Sequence, residues 1–229
     1  MGTGLPFRSV ADAIALVGLL AIARVFMSLA AMDIGTAFGT LGARREMMIG
    51  FLAEPALLMV IFVASLISAT TALPLIAERL AEQAPVLYPS LAFTAVAFTM
   101  VLLAENARIP VDNPATHLEL TMIHEAMMLE YSARHLALME WASALKLFNY
   151  SCIGFALFVP WGASIGDAGL ASLAASIPVL VVKLAVAGVW LALLETVSAK
   201  LRVFRAPEFM ATAFMFAVLG LLVHLLLGA

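Results

Sequence analysis

The chain has almost no cysteine, little charge and no stretch of alternating polar and apolar residues. A single cysteine, Cys152, occurs in 229 residues. It cannot form an internal disulfide or supply a Cys-based zinc or iron–sulfur site within the chain, so any redox centre is expected in a partner. Only 12% of residues are charged and the net charge is -3; without a basic footprint, nucleic acid is excluded as a partner. The lack of ten-residue alternating strands excludes a β-barrel. No nucleophile–base constellation, phosphate loop or dinucleotide fingerprint occurs. No internal repeat is visible, which argues against an inverted-repeat transporter.

What is present is apolar: 64% of residues are hydrophobic, against ~45–50% in soluble domains. A globule this small cannot hide that surface, so the excess faces lipid or membrane-embedded protein. The expected fold is all-α, a polytopic membrane helix bundle forming a single domain over 1–229. Crossing ~30 Å of hydrocarbon at ~1.5 Å per residue takes about 20 residues. Six segments qualify: 10–32, 49–73, 88–104, 135–159, 170–197 and 209–227. Pro74 and Pro160 stop two of them, Pro89 opens a third, and Pro178 is a kink candidate. The first segment carries Asp12 and Arg24 and is too long for a signal h-region, so it reads as a retained span. Arg44, Arg45, Arg108, Lys200, Arg202 and Arg205 gather on one side. The positive-inside rule makes loops 33–48, 105–134 and 198–208 cytoplasmic, with both termini outside and the chain in the inner (cytoplasmic) membrane.

The region Glu105–Arg134 is too polar to face lipid. Pro110 and Pro114 interrupt its start; Thr116 with Glu119 then forms a capping box for a helix to about Tyr131, displaying Glu119, Glu125 and Glu130. The glycines Gly35, Gly39 and Gly42 read as a tight loop. Ionisable groups within spans cost ~2.5–3.5 kcal/mol each on insertion scales. They are Arg24, Glu54, Glu140, Lys146, Lys183 and Glu195, with Glu105 at the end of the third span. A proton or ion relay and a set of structural pairs and snorkelling groups both fit this pattern. Glu54, beside Pro55, fits either; Glu140 fits a relay better. Lys146 and Lys183 are mid-span and call for a neighbouring acid, although Lys183 also fits a deprotonated buried amine. Arg24 stays charged everywhere and suits a structural or gating pair. Glu195 fits a surface place as well as a functional one. His117 and His124 share a helix face without the His-Glu-x-x-His spacing of a zinc hydrolase; proton passing and a satisfied interface role remain open for both. Met122, Met127, Met128 and Met139 read as adaptable packing, and His224 as a packing or interfacial residue.

The stretch Ala104-Glu-Asn-Ala-Arg-Ile-Pro-Val-Asp112 resembles the A-E-x-x-R-x-P-F-D motif of the membrane subunit 1 family of respiratory complex I. The likeness continues through Pro114, Glu119, Leu120, Glu130-Tyr-Ser132 and Glu140, and upstream through Gly42-Ala-Arg-Arg-Glu46 and Glu54-Pro55, covering nearly the whole chain. Val111 stands where quinone-reducing members have Phe, and Ala115 and His117 replace two acids. His117 to Glu125 and Lys200 to Glu208 resemble the hydrogenase branch: the membrane subunit of formate hydrogenlyase, hydrogenase-4 and group 4 membrane-bound [NiFe] hydrogenases.

The resemblance implies a non-catalytic anchor and coupling subunit with no active site and no cofactor of its own. The nickel–iron centre and iron–sulfur clusters would lie in partners: hydrogenase large and small subunits, an iron–sulfur subunit and antiporter-like membrane subunits. It implies Glu54, Glu105, Glu119, Glu130 and Glu140 as coupling acids, with Lys183 among the coupling groups. Arg44, Arg45, Arg108 and Asp112 would position loops and dock partners; for His117 and His124, proton passing stays open beside the interface role. Family members usually have eight spans, so six imply that the first two helices are lacking. A quinone-reducing NADH dehydrogenase subunit and a free-standing ion transporter are the alternatives.

Overall fold

The computed structural model describes residues 10–82, 89–109, 111–112, 123–162, 170–198 and 205–227. Among them the regular structure is helical: α1 (Ala13–Asp33), α2 (Ala37–Ser68), α3 (Leu73–Glu82), α4 (Pro89–Glu105), α5 (His124–Met128), α6 (Ala133–Phe158), α7 (Leu170–Val197) and α8 (Ala206–Leu227). Four of these, α1, α2, α7 and α8, are long and apolar enough to cross a membrane, and α4 is a shorter apolar helix. The 26 residues of α6 reach about 39 Å at the α-helical rise, but carry Arg134, Glu140 and Lys146. Phe26 is 67% exposed and Phe51 77% exposed; a surface so apolar is sustained by lipid, not water. The protein is an all-α, multi-pass membrane bundle.

The core is α2, α4 and α8. On α8 the buried positions are Ala206, Met210, Ala213, Ala217 and Gly220, a four-three repeat along one face. Mostly small residues on that face let the backbones approach closely, which is how helices associate where lipid removes the hydrophobic drive. A similar stripe on α2 runs through Gly39, Gly42, Ala43, Glu46, Ile49, Gly50, Ala53, Ala56 and Leu57. A Cβ at Gly42 would meet Ile123 O at 2.8 Å and Ala126 Cβ at 3.0 Å, so the missing side chain is what lets α5 seat on α2.

Asp12 caps α1, accepting hydrogen bonds from Ile14 N at 2.9 Å and Ala15 N at 3.0 Å. Its other oxygen accepts a hydrogen bond from the Thr71 hydroxyl. Backbone bonds Ala13 N to Thr71 O and Leu73 N to Ala11 O, both 2.9 Å, tie the start of α1 to the α2–α3 turn. These bonds hold the Asp12 carboxyl below its ordinary range, the Thr71 contact most.

Several expected boundaries are corrected. Loop 33–48 is mostly helix: α2 starts at Ala37 on a Thr36 cap, and only a short turn with Gly35 at φ +74° separates it from α1. Gly39 and Gly42 belong to that helix, not to a tight loop. The second span ends at Ser68, six residues before Pro74, and Ala69 after it adopts the left-handed conformation (φ 49°). Pro74 lies in the first turn of α3, a position that needs no amide hydrogen. The helix expected to reach about Tyr131 stops at Met128; its capping box, His117, Glu119, Pro110 and Pro114 lie outside the described residues, as do Lys200 and Arg202. α7 lies at the edge of the described bundle, where no residue of the apolar window within 174–197 is buried.

Candidate functional site

The charges that the sequence scatters along the spans converge in space. Arg24, in the middle of α1 and 6% exposed, is their centre. Its Nη1 donates to Glu54 Oε1 at 3.0 Å, and its Nη2 donates to Glu105 Oε1. Its Nε lies 3.8 Å from Glu46 Oε1. Lys146 Nζ on α6 lies 3.1 Å from the second oxygen of Glu105. Tyr150, one turn further along α6 and 1% exposed, lies beside Glu105. Among the described residues, two cations and three carboxylates from α1, α2, α4 and α6 thus form one largely buried network.

Local sequence explains the geometry. A Cβ on Gly50 would overlap Arg24 Nη1 and stand 2.9 Å from Cδ and Cζ; glycine leaves room for the guanidinium to cross α2. Lys146 and Tyr150 are four apart and share a helix face. Pro55 removes the amide that would bond Phe51 O, loosening α2 beside Glu54.

Two cavities flank α6. One, of about 220 Å³, is lined by Arg24, Glu46, His124, Lys146 and Asn149 among others. The other, of about 610 Å³, opens between α4, α6 and α7 and carries Arg108 and Glu140 with Phe98, Phe148 and Trp190. Ser143 lines both.

On the cytoplasm-assigned side, Asp112 Oδ2 accepts the backbone amides of Ile123 at 3.1 Å and His124 at 3.0 Å. This pins the start of α5 under the network. His124 Nε2 is buried with no hydrogen-bond partner among the described residues. Burial, reinforced by Lys146 and opposed by Asp112, pushes its imidazole down to about 4. Burial and the nearby Asp112 push the Glu125 carboxyl up.

The structure therefore brings Glu54, Glu105, Arg24 and Lys146 together, with Glu140, Arg108 and His124 on the adjoining cavities. Arg108 also reaches Glu195 at 3.5 Å, tying the end of α4 to α7. Glu130 is exposed in the turn after α5, and Arg44 is exposed and Arg45 half-buried on α2. Lys183 is corrected: it meets no acid among the described residues, and its ammonium donates to Val159 O at 2.6 Å at the α6 C-terminus, where a cation suits the helix dipole. Glu46 is a member of the network that the sequence reading misses. Its signal lies in the stripe of small residues, since it is the one acid spaced with Gly42, Ala43, Ile49 and Gly50 on the face that packs.

The family model for NADH dehydrogenase matches residues 3–226. The chain belongs to the complex I subunit 1 family. Formate hydrogenlyase subunit 4 of Escherichia coli (strain K12) is 31% identical over 222 residues, covering 95% of this chain and 69% of that protein. Hydrogenase-4 component C of the same organism is 35% identical over 180 residues, covering 78% of this chain and 55% of that protein. This family member thus aligns with little more than half of that second relative. Both relatives fall in the hydrogenase branch suggested by His117 to Glu125.

Proposed function

We propose that the protein is the membrane anchor and coupling subunit of a complex I-like, membrane-bound [NiFe] hydrogenase of the formate hydrogenlyase type. It links electron transfer in peripheral subunits to proton or ion movement in antiporter-like neighbours. The observation that carries this reading is the network of Arg24, Glu46, Glu54, Glu105 and Lys146. Buried ion pairs are weak devices for stability, because desolvation offsets most of the attraction. Five ionisable groups from four helices, flanked by cavities, suit the movement of charge better than they suit holding a bundle together. Ser143, lining both cavities, lies between the network and Glu140. The exposed Arg44 and Glu130, with the Asp112-pinned α5, form the surface on which the hydrogenase large and small subunits and an iron–sulfur subunit dock. Those partners supply the nickel–iron and iron–sulfur chemistry from the cytoplasmic side of the inner membrane.

The test is Glu140→Gln in the intact complex. Proton movement in inverted vesicles is expected to fall while hydrogen evolution and assembly persist; unchanged proton movement would remove Glu140 from the path. A second reading, subunit 1 of a quinone-reducing NADH dehydrogenase, draws on the cavity of about 610 Å³, which is within the size range of small-molecule sites. Quinone-dependent turnover of the purified complex without hydrogen evolution would favour it. Ion flux in vesicles holding this chain alone would point instead to a free-standing transporter.

A further inference from the structure

Among the described residues the network has an imbalance: three carboxylates share two cations. With every group ionised it would hold a net negative charge inside a membrane bundle, where an uncompensated charge is far costlier than a proton taken up by one acid. Geometry indicates which acid takes it. Glu105 has a cation on each oxygen, Arg24 on one and Lys146 on the other. Glu54 has Arg24 at 3.0 Å and a side chain 36% exposed. Glu46 is buried, 8% exposed at its side chain, and its one ion contact among the described residues is Arg24 Nε at 3.8 Å, beyond hydrogen-bond reach. It also lines the cavity of about 220 Å³ that it shares with His124. That space has room for several waters at ~30 Å³ each.

We propose that Glu46 is the proton-loading site of the network, neutral at rest, and that His124 passes protons between it and the cytoplasmic side through this cavity. This rests on the coupling reading above and names its loading group. In the release step the Glu46 O–H bond breaks and an N–H bond forms at His124 Nε2. The new carboxylate is then faced by Arg24, and the imidazolium gives up a proton to cytoplasmic water. Loading runs the other way. The groups around Glu46 are Arg24 from α1, Glu105 from α4, Lys146 from α6, and Asp112 and His124 around α5. The depressed basicity of His124 suits a carrier that holds a proton only briefly.

The test uses the intact complex in vesicles and in the infrared. Resting wild type is expected to show the C=O stretch of a protonated carboxylic acid, shifted in D2O and absent in Glu46→Gln. That variant keeps the shape and charge of the resting acid, so it is expected to assemble normally yet lose proton movement coupled to hydrogen evolution. Glu46→Asp is expected to restore part of it. His124→Gln is expected to slow proton movement without removing the infrared band. A wild type with no such band, or a Glu46→Gln complex that moves protons normally while Glu140→Gln does not, overturns the assignment and leaves the coupling reading intact. Normal proton movement in every variant overturns both.

Discussion

Replacing Gly50 with alanine probes the whole network by adding a single methyl group. The new Cβ would lie 2.9 Å from Arg24 Cδ and Cζ and closer still to Nη1. Ordinary contacts are ~3.5–4.0 Å, so the guanidinium must withdraw by about 1 Å. Nη1 sits 3.0 Å from Glu54, and that withdrawal takes the pair out of hydrogen-bond range. The charged hydrogen bond lost is worth ~1.5–3 kcal/mol, while alanine returns ~1 kcal/mol of helix propensity. The net expectation is a destabilisation of about 0.5–2 kcal/mol. Gly18 on α1 is the internal control, because a Cβ there meets nothing within 4 Å and Gly18→Ala should keep the propensity gain. The assay is thermal unfolding of the detergent-solubilised complex. A Gly50→Ala complex as stable as Gly18→Ala would refute the reasoning, since it would mean that the guanidinium is not held at that crossing.

Arg24→Gln should be the most damaging single change in the network, at ~3–5 kcal/mol for a buried pair broken from one side. Combining it with Glu105→Gln should recover part of that loss in a double-mutant cycle read by assembly on native gels, and strict additivity would count against the pair. Asp112→Ala leaves the amides of Ile123 and His124 without an acceptor, at ~1–3 kcal/mol for a buried unsatisfied donor; amide exchange across 123–128 should accelerate, with Asn restoring part of the protection. For His124 the folded state prefers the neutral ring, titrating at about 4 against an ordinary 6.5. The unfolded chain therefore binds more protons between those values, and stability falls as pH drops from about 6.5 to about 4. His124→Gln should flatten that part of the pH–stability profile measured by thermal unfolding.

Much of the fold is legible in the sequence because the apolar runs are long and helix is the form that satisfies backbone polar groups in lipid. All six expected segments overlap helices, and the ends marked by Pro89 and Pro160 fall where the sequence puts them. Pro74 misleads: a proline that reads as a stop sits at a helix start, and the real stop is Ala69, whose left-handed backbone leaves no mark in composition. The α2 extension is hidden because Arg44 and Arg45 look like loop residues, although they project from a helix whose other face is glycine and alanine. Arg24 and Lys146 are recognisable as needing partners. The identity of those partners is not legible, since Arg24 and Glu105 are 81 residues apart and only tertiary packing joins them. Glu46 escapes notice because its neighbours in sequence are the basic pair, and its neighbours in space are not.

The length of α2 has a mechanical meaning. Its 32 residues reach about 48 Å, against ~30 Å of hydrocarbon, so the helix tilts strongly or stands out of the bilayer. The face that carries Arg44 is then part of the same rod as Glu46 and, about 12 Å beyond Glu46, Glu54. The helix is unbroken from its protruding end to Glu46. The first gap in its hydrogen-bond ladder is the amide missing at Pro55, opposite Phe51 O, in the turn that holds Glu54. A displacement of the protruding end is therefore expected to carry Glu46 rigidly and to reach Glu54 through a looser joint.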